Sequence, residues 1–368
     1  DDADELESEW LELQKKSYCS YFQSWGWIGN WLQQIAFDLK PVVIKVWLDD
    51  CLVGAGVFVS RKFTRRALFR SRALFLNDYP FDGRNMVIEY NGLLAAKGHE
   101  QAVYEQAVKY LIDTCDNYDE YYFNAVQRSK TTDILTSRTG AGITSIINKR
   151  SCTWSVALDT VPSGVSGVLS TLSKNRRGQV RRSIRVFEEQ GPIQVAEADT
   201  VEDALSYLDR LKSLHTQRWQ SRGGEGAFAK PAWERFHRAL VKNRFNHGEV
   251  QLLKVYNSAG EIGYLYNYIW RGHLYVMQTG FIASNRNYMM PGYVTHVFAI
   301  AFNKARGISV YDLLHGEDLY KQILCNTSHE LLWIVLQRRR FRFKLEKLAV
   351  AIVRRFRRRV SISAKSLQ

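Results

Sequence analysis

No stretch of this sequence approaches the roughly 20 consecutive apolar residues that cross a bilayer, so a membrane-spanning chain is not expected. Cysteine is scarce: Cys19, Cys51, Cys115, Cys152 and Cys325 are odd in number and scattered, with no CxxC and no Cys/His cluster at zinc spacing. That pattern argues against a disulfide scaffold. The eight histidines include no HExxH pair, and no metal is expected. With six prolines and 24 glycines, a collagen-like or linker-dominated chain is excluded. The start, Asp1 to Glu9, is acidic where a secretory signal is basic, so the expected location is the cytoplasm.

What is present is length and aromatic mass. At 368 residues and 46% hydrophobic, with ten tryptophans, the chain has enough apolar material for two domains with their own cores. The formal charge of +14 is uneven: Arg338 to Arg359 holds eleven basic residues and one acid, leaving 40 basic and 36 acidic residues elsewhere. Basicity therefore belongs to the tail and says little about the body.

Patterning predicts helices over Asp4–Lys16 and Gly29–Phe37, then a hairpin of Val42–Trp47 and Leu52–Ser60 around the turn Leu48-Asp49-Asp50. Strands near Ala73–Leu76 and Met86–Tyr90, a helix over His99–Thr114, a strand over Tyr121–Val126, a short helix and a strand ending near Leu158 follow. Beyond Val161 the pattern restarts with a long basic helix to Glu189, a strand at Ile193–Ala196 and helices over Val201–Trp219 and Pro231–Lys242. Strands Val250–Tyr256, Ile262–Trp270 and His273–Phe281, helix Pro291–Arg306, strand Ser309–Leu314, helix Leu319–Leu324 and strand Leu331–Leu336 close the body. The segment Lys45 to Gly54 aligns without a gap on Lys254 to Gly263, and such an internal repeat reads as duplication. The order is α+β, built round mixed sheets. It divides the chain into 1–160, 161–337 and a tail, 338–368.

Chemistry concentrates between Tyr275 and Lys321. Pro291-Gly292-Tyr293 opens a helix with free amides and little side-chain bulk, which suits a phosphate. The strand Val310–Leu314 ends in His315-Gly316-Glu317-Asp318, and Tyr320-Lys321 opens the next helix. Strand ends facing a crevice are where open sheets place ligands. Asp312 reads either as a buried structural carboxylate or as a catalytic one. His315, Glu317 and Asp318 are candidate bases, Tyr320 a candidate acid, and Lys321 a candidate seat for an anionic group.

Taken together, Ser173 to Arg182, Leu214-His215-Thr216-Gln217-Arg218-Trp219, Gly280-Phe281, Pro291-Gly292, and Tyr311 to Gly316 with Tyr320-Lys321 resemble the CelD/BcsL group of GNAT acetyltransferases, the BioF2-like domain associated with cellulose and other exopolysaccharide synthesis. The chain is also similar to Fem-type peptidyltransferases, which have two GNAT-like domains and a Gly followed by an aromatic-Lys pair. The resemblance implies tandem GNAT-like domains and acyl transfer from acetyl-CoA or another acyl-CoA to an amine or hydroxyl of a sugar- or lipid-linked envelope precursor, by direct attack. It implies that Gln278, Thr279 and Gly280 form the splayed strand beside the pantetheine, that Pro291, Gly292 and Tyr293 meet the pyrophosphate, and that Tyr320 is the general acid. Arg218, Trp219 and Gly316 then fall among the substrate-binding residues. The glycine-rich loop of ordinary GNAT enzymes is missing; Arg286-Asn287-Tyr288-Met289-Met290-Pro291-Gly292 stands there instead. Since the Fem-type branch uses aminoacyl-tRNA, that donor is the alternative to CoA. The matching motif of the first half, near Tyr122 to Gln127, lacks the Gly and the Tyr-Lys pair, which suggests a degenerate copy. A binding protein on a degenerate scaffold is the non-enzymatic alternative.

Two basic clusters, Arg61–Arg72 and Lys174–Arg185, each hold six Lys/Arg and no acid. In the second, Arg177, Arg181 and Arg185 share a helix face that reads either as a solvated face or as a seat for a phosphate or anionic glycan. In the tail, Phe341, Leu345, Leu348, Ile352 and Phe356 recur at helical spacing among Arg and Lys. Such a helix fits an anionic membrane surface, giving peripheral attachment at the inner face of the membrane. Nucleic acid is the weaker alternative partner, and docking on the body is the purely structural one.

Overall fold

The structure, a computed structural model, describes residues 3–35, 41–65, 69–78, 80–81, 84–85, 88–137, 139–140, 142–284, 286, 288–346 and 348–350. In the first half, α1 (Ala3–Lys15) and α2 (Trp25–Leu32) precede β1 (Val42–Leu48), β2 (Cys51–Arg65) and β3 (Phe69–Leu76). The short strands β4 (Pro80–Phe81), β5 (Arg84–Asn85) and β6 (Leu94–Ala95) come next, then α3 (Glu100–Asp113), β7 (Glu120–Gln127), α4 (Lys130–Ser137), β8 (Thr139–Gly140) and β9 (Ile143–Ala157). The second half runs α5 (Gly164–Ser170), α6 (Lys174–Glu188), β10 (Gln194–Glu197), α7 (Val201–Gln220) and α8 (Pro231–Arg244), then β11 (Val250–Asn257), β12 (Gly260–Trp270) and β13 (His273–Phe281). It ends with α9 (Pro291–Ala305), β14 (Val310–His315), α10 (Leu319–Leu324) and β15 (Thr327–Arg338).

One mixed sheet carries the whole body, in the order β1-β2-β3-β7-β15-β9-β14-β13-β12-β11-β10. The repeat read from sequence recurs as geometry. In each half an antiparallel run ends on a parallel pair, β3 with β7 and β13 with β14. The first hairpin of each run bulges at matching residues, Val46/Trp47 and Val255/Tyr256, and each parallel partner bends at a non-glycine residue of positive φ, Ala125 (54°) and Leu314 (62°). The last strands are exchanged: β9 of the first half lies beside β14, and β15 of the second lies beside β7. The two runs are thus joined in one set of hydrogen bonds.

Side-chain alternation divides the core between the two faces. On β12, Tyr264, Tyr266 and Tyr268 join the cluster that also buries Trp27, Trp31 and Phe236, while Leu265 joins Val180, Ile184, Val297 and Ile300 on the other side. Complete burial of Trp27, at 1% exposure, is worth on the order of 2–3 kcal/mol.

Several boundaries differ from expectation. The long basic helix is two, because the Ser173 side chain accepts from the Arg176 amide at 3.4 Å and caps a new start. The second helix begins four residues early, at Trp25, where Ser24 plays the same part for the Trp27 amide, and residues 36 and 37 of its expected end lie outside the described residues. Of the strand expected over Met86–Tyr90, residues 86 and 87 lie outside as well, and 88–90 are irregular, with Tyr90 at φ 47°. The last strand starts at Thr327, not Leu331.

After β15, residues 341–346 are helical. Phe343 is buried against Phe69, with ring centroids 5.4 Å apart, and Arg65 bridges Glu346 (2.8 Å) and Glu120 (2.9 Å). Phe341, Leu345 and Leu348 face outward, 72%, 49% and 59% exposed. Ile352 and Phe356 lie outside the described residues. Among those described, no helix is long and apolar enough to cross a membrane.

Candidate active site

The parallel pair in the second half is short. β13 and β14 are joined only from His273↔Val310 to Tyr275↔Asp312. β13 then bulges against β12, where Tyr266 pairs with Gln278 but Asn267 pairs with Val276, and it runs on to Phe281. β14 slips against β9 between Asp312 and His315. A bulge re-aims a strand, and the two strands part. The parting leaves the end of β13 with no strand paired on that side among the described residues and opens a cavity of about 570 Å³.

Three helices complete its walls. α7 supplies Leu214 and Arg218, and the turn after it Arg222; the start of α9 supplies Pro291, Gly292, Tyr293 and, one turn on, His296; α10 supplies Tyr320. Close packing relies on glycine. A Cβ on Gly280 would stand 2.6 Å from the Leu211 carbonyl oxygen of α7, and one on Gly292 3.1 Å from the Phe281 ring.

The electrostatics favour an anion. Arg218 lies half-buried with its guanidinium 5.7 Å from the centre of the Phe281 ring, and it makes no ion pair among the described residues. Burial, then Arg222, lowers its pKa, with Tyr320 and Asp318 acting the other way. The α9 N-terminus adds its dipole, but few donors. Pro291 has no N–H, and the Met290 amide is taken by Ser183 Oγ at 2.8 Å. That leaves the Gly292 and Tyr293 amides, for which no partner is present among the described residues.

Tyr320 is mostly shielded, and burial, followed by Asp318, holds its phenol well above the usual tyrosine range. It is therefore protonated and able to act as an acid. Its ring stacks on His296 at 5.6 Å. Burial pulls His296 down to about 3, helped by Lys321 and Arg218. The imidazole is neutral; its Nδ1 is 3.0 Å from the buried Tyr311 hydroxyl and its Nε2 has no partner among the described residues. We assign the hydroxyl as donor, because burial keeps that phenol protonated, and this places the ring proton on Nε2. His296 was not anticipated: mid-helix on an apolar face, it had no sequence signal.

The other predicted residues divide into those at the cavity and those behind it. Thr279 lines the cavity; Gln278 instead accepts the Thr279 amide through Oε1 at 3.1 Å, and Gly280 packs on α7. Asp312 is fully buried, accepting from Tyr90 Oη (2.5 Å) and the Leu314 amide (2.7 Å), with His273 Nε2 at 3.1 Å. Lys321 is 8% exposed and donates to the His315 carbonyl at 2.7 Å. Burial lowers its pKa, opposed by Glu89, Asp318 and Asp312. Gly316, at φ 149°, accepts from Trp154 Nε1 at 2.9 Å. Glu317 and Asp318 are exposed. Trp219, 43% exposed, donates to His215 Nε2 at 2.9 Å. Arg177 and Arg181 are not among the residues lining the cavity; on the same helix Arg176 and Arg182 lie over the rings of Tyr293 (5.1 Å) and Tyr288 (4.7 Å). Among the described residues, no group of three or more His, Cys, Asp or Glu is placed to hold a metal ion.

The corresponding parting in the first half is closed. β3 and β7 separate after Phe75↔Tyr122, but Asn91 bridges to Val126 and gives its amide to the Ala125 carbonyl at 3.1 Å. Asn77 and Asn91 then knit the two sides together, Nδ2 to Oδ1, at 3.0 Å.

Residues 174–322 match the family model described as an acetyltransferase (GNAT) domain, the stretch that holds every wall of the cavity. Over the whole chain the fold is similar to FemX (TM-score 0.61, 11% identity, 93% of this chain and 98% of that one). It is also similar to L-PGS from Bacillus licheniformis (0.53, 11%, 94% and 95%) and to the C-terminal domain of a putative lysylphosphatidylglycerol synthetase from Agrobacterium fabrum (0.53, 10%, 95% and 96%). No curated protein matches the sequence. Residues 174–322 thus match a GNAT acetyltransferase domain, and the fold of the whole chain is similar to that of FemX.

Proposed function

We propose that this protein moves an acyl group directly from acetyl-CoA or another acyl-CoA, held in the β13–β14 parting, to an amine or hydroxyl of an envelope or exopolysaccharide precursor of the CelD/BcsL kind. The observation that carries this reading is the cavity walled by the end of β13 beyond its pairing with β14, the α9 N-terminus, the protonated Tyr320 and Arg218, which makes no ion pair among the described residues. The donor's amide-rich arm lies along β13, and its phosphates face Arg218, Arg222 and the two free amides. As the acceptor atom bonds to the acyl carbon, it gives up its proton to a base, the C–S bond breaks and the thiolate takes the Tyr320 proton. The first half contributes no second donor site, because Asn91 fills its parting.

A specific observation favours a second donor, an aminoacyl-tRNA. With the Met290 amide given to Ser183 and Pro291 lacking one, the α9 start offers a pyrophosphate fewer donors than a glycine-rich loop does. The neighbour named as a putative lysylphosphatidylglycerol synthetase fits that reading. The location we propose is cytoplasmic and peripheral: the outward Phe341, Leu345 and Leu348, amid basic residues, rest on an anionic membrane at the inner face while Phe343 and Glu346 hold the helix to the body.

Isothermal titration with acetyl-CoA and longer acyl-CoAs tests the donor. Saturable binding that survives Tyr320→Phe while thioester turnover falls supports the reading. If no acyl-CoA binds and charged tRNA does, with affinity dropping steeply as salt rises, the donor is aminoacyl-tRNA. A binder whose behaviour is untouched by Tyr320→Phe is not a transferase.

A further inference from the structure

Behind the cavity wall the two halves meet in a polar cluster that the donor does not use. Residues 88–91 of the first half reach the end of β14, and there Glu89, 2% exposed, accepts twice from one residue. The His315 amide lies 2.7 Å from Glu89 Oε2, and the His315 Nδ1 lies 2.6 Å from Oε1. Next to it Tyr90 donates to Asp312 at 2.5 Å, which fixes the crossing segment to the strand itself. Both the backbone and the ring of His315 are therefore set by a carboxylate from the other half.

The consequence is a defined tautomer. Nδ1–H is committed to Glu89, so the lone pair is on Nε2. The side chain is 24% exposed, and Nε2 neither makes a hydrogen bond among the described residues nor belongs to the buried unpartnered atoms. His315 stands three residues beyond the last β13–β14 pair, after the left-handed Leu314 and before Gly316, where the strand has already turned away. Lys321, the neighbour of Tyr320, holds the His315 carbonyl at 2.7 Å, so the end of β14 is tied to the helix that carries the acid of the cavity wall. Glu317 and Asp318 of the same turn are exposed, and no hydrogen bond among the described residues fixes either side chain.

We infer that His315 is the general base of the transfer and that Glu89, supplied by the first half, is its positioning residue. The inference rests on the acyl-transfer reading above. Nε2 takes the proton of the acceptor N–H or O–H as that atom bonds to the acyl carbon; the C–S bond breaks, and the thiolate leaves with the Tyr320 proton. The imidazolium so formed is opposed by Glu89 across the Nδ1–H bond. The first half, whose own parting is filled, thereby keeps a share in the chemistry.

The test uses the full chain with His315→Ala, His315→Gln, Glu89→Gln and Glu89→Asp. Turnover is read as thiol released from acetyl-CoA, with water or added amines as acceptor. Loss of a general base costs about 10²-fold or more. His315→Ala is therefore expected to lose about 100-fold in turnover with acetyl-CoA affinity within about twofold, and to recover activity when imidazole is added. Glu89→Gln is expected to lose about tenfold, to be partly restored as Glu89→Asp, and to lose nothing further in the His315→Ala background, since residues acting as a unit are not additive. A second arm needs no donor: brief treatment with diethyl pyrocarbonate, followed by peptide mapping of the eight histidines, should modify His315 first, and about tenfold more slowly in Glu89→Gln. If His315→Ala and His315→Gln turn over normally, if imidazole restores nothing, or if His315 reacts no faster than the rest, the assignment is overturned. Failure of the wild-type chain to bind any acyl-CoA refutes the donor reading alone, and the carbethoxylation rates then decide the dyad.

Discussion

Gly280→Ala is the substitution whose effect follows most directly from geometry. An added Cβ would meet the Leu211 carbonyl oxygen at 2.6 Å and the Leu211 Cα at 3.0 Å. Both are backbone atoms of α7, so no side-chain rotation relieves the clash, and the helix must retreat by about 0.8 Å to regain the ordinary contact of 3.4 Å. Overpacking of this kind costs about 1–3 kcal/mol, which for a chain of this size lowers Tm by roughly 1–4 °C. The retreating helix carries Leu214 and Arg218, so donor affinity should fall by about tenfold or more. Gly178→Ala on α6, with no heavy atom within 4 Å of the new Cβ, is the control, and there Ala should stabilise the helix by about 0.5–1 kcal/mol. Differential scanning fluorimetry and titration of the two variants side by side provide the comparison. A Gly280→Ala protein with unchanged Tm and unchanged donor affinity would refute the close approach of α7 to β13, and with it the cavity.

Arg218→Ala removes the unpaired guanidinium and should weaken donor binding by about 10- to 100-fold, the loss of one charge-assisted contact, while stability stays within about 1 kcal/mol; unchanged affinity would exclude Arg218 from the donor site. Tyr320→Phe should lower thioester turnover by about 10²-fold with donor affinity kept within about twofold, a split to be read by initial rates beside titration. His296 has a folded-state pKa pushed down to about 3 by burial. The unfolded chain therefore binds more protons below pH 6.5, and stability is lost as pH falls. Urea midpoints from pH 6.5 to 4 should lose about 1.4 kcal/mol per pH unit on account of this one residue, so the His296→Gln curve should be shallower by that amount; parallel curves contradict a buried neutral imidazole. Replacing Phe341, Leu345 and Leu348 by serine should abolish sedimentation with anionic vesicles and spare turnover of a soluble donor; retained sedimentation points to another surface.

Much of this architecture was readable because local chemistry encodes it. The Lys45–Gly54 and Lys254–Gly263 segments align, and both carry the same bulge between their second and third residues. Helix starts at Pro231 and Pro291 fell where proline fixes φ and needs no hydrogen bond. The exchange of β9 and β15 was not readable, since both are long strands at the end of their copies and nothing local states which neighbour each pairs with. The site was half legible. Arg218, Thr279, Pro291 to Tyr293 and Tyr320 converge on one cavity, whereas Asp312 and Lys321 are not among its lining, and on α6 it is Arg176 and Arg182 that lie over the rings of Tyr293 and Tyr288. Glu89 was invisible because its partner lies 226 residues away.

The central claim is that the donor lies against the unpaired end of β13, and hydrogen exchange of the intact chain tests it without knowledge of the acceptor. With saturating donor, peptides covering 276–293 should gain protection while those covering 88–95 and 120–127 of the first half stay unchanged. Protection that appears instead in the first half, or nowhere in 276–293 under conditions where titration shows binding, would contradict the account.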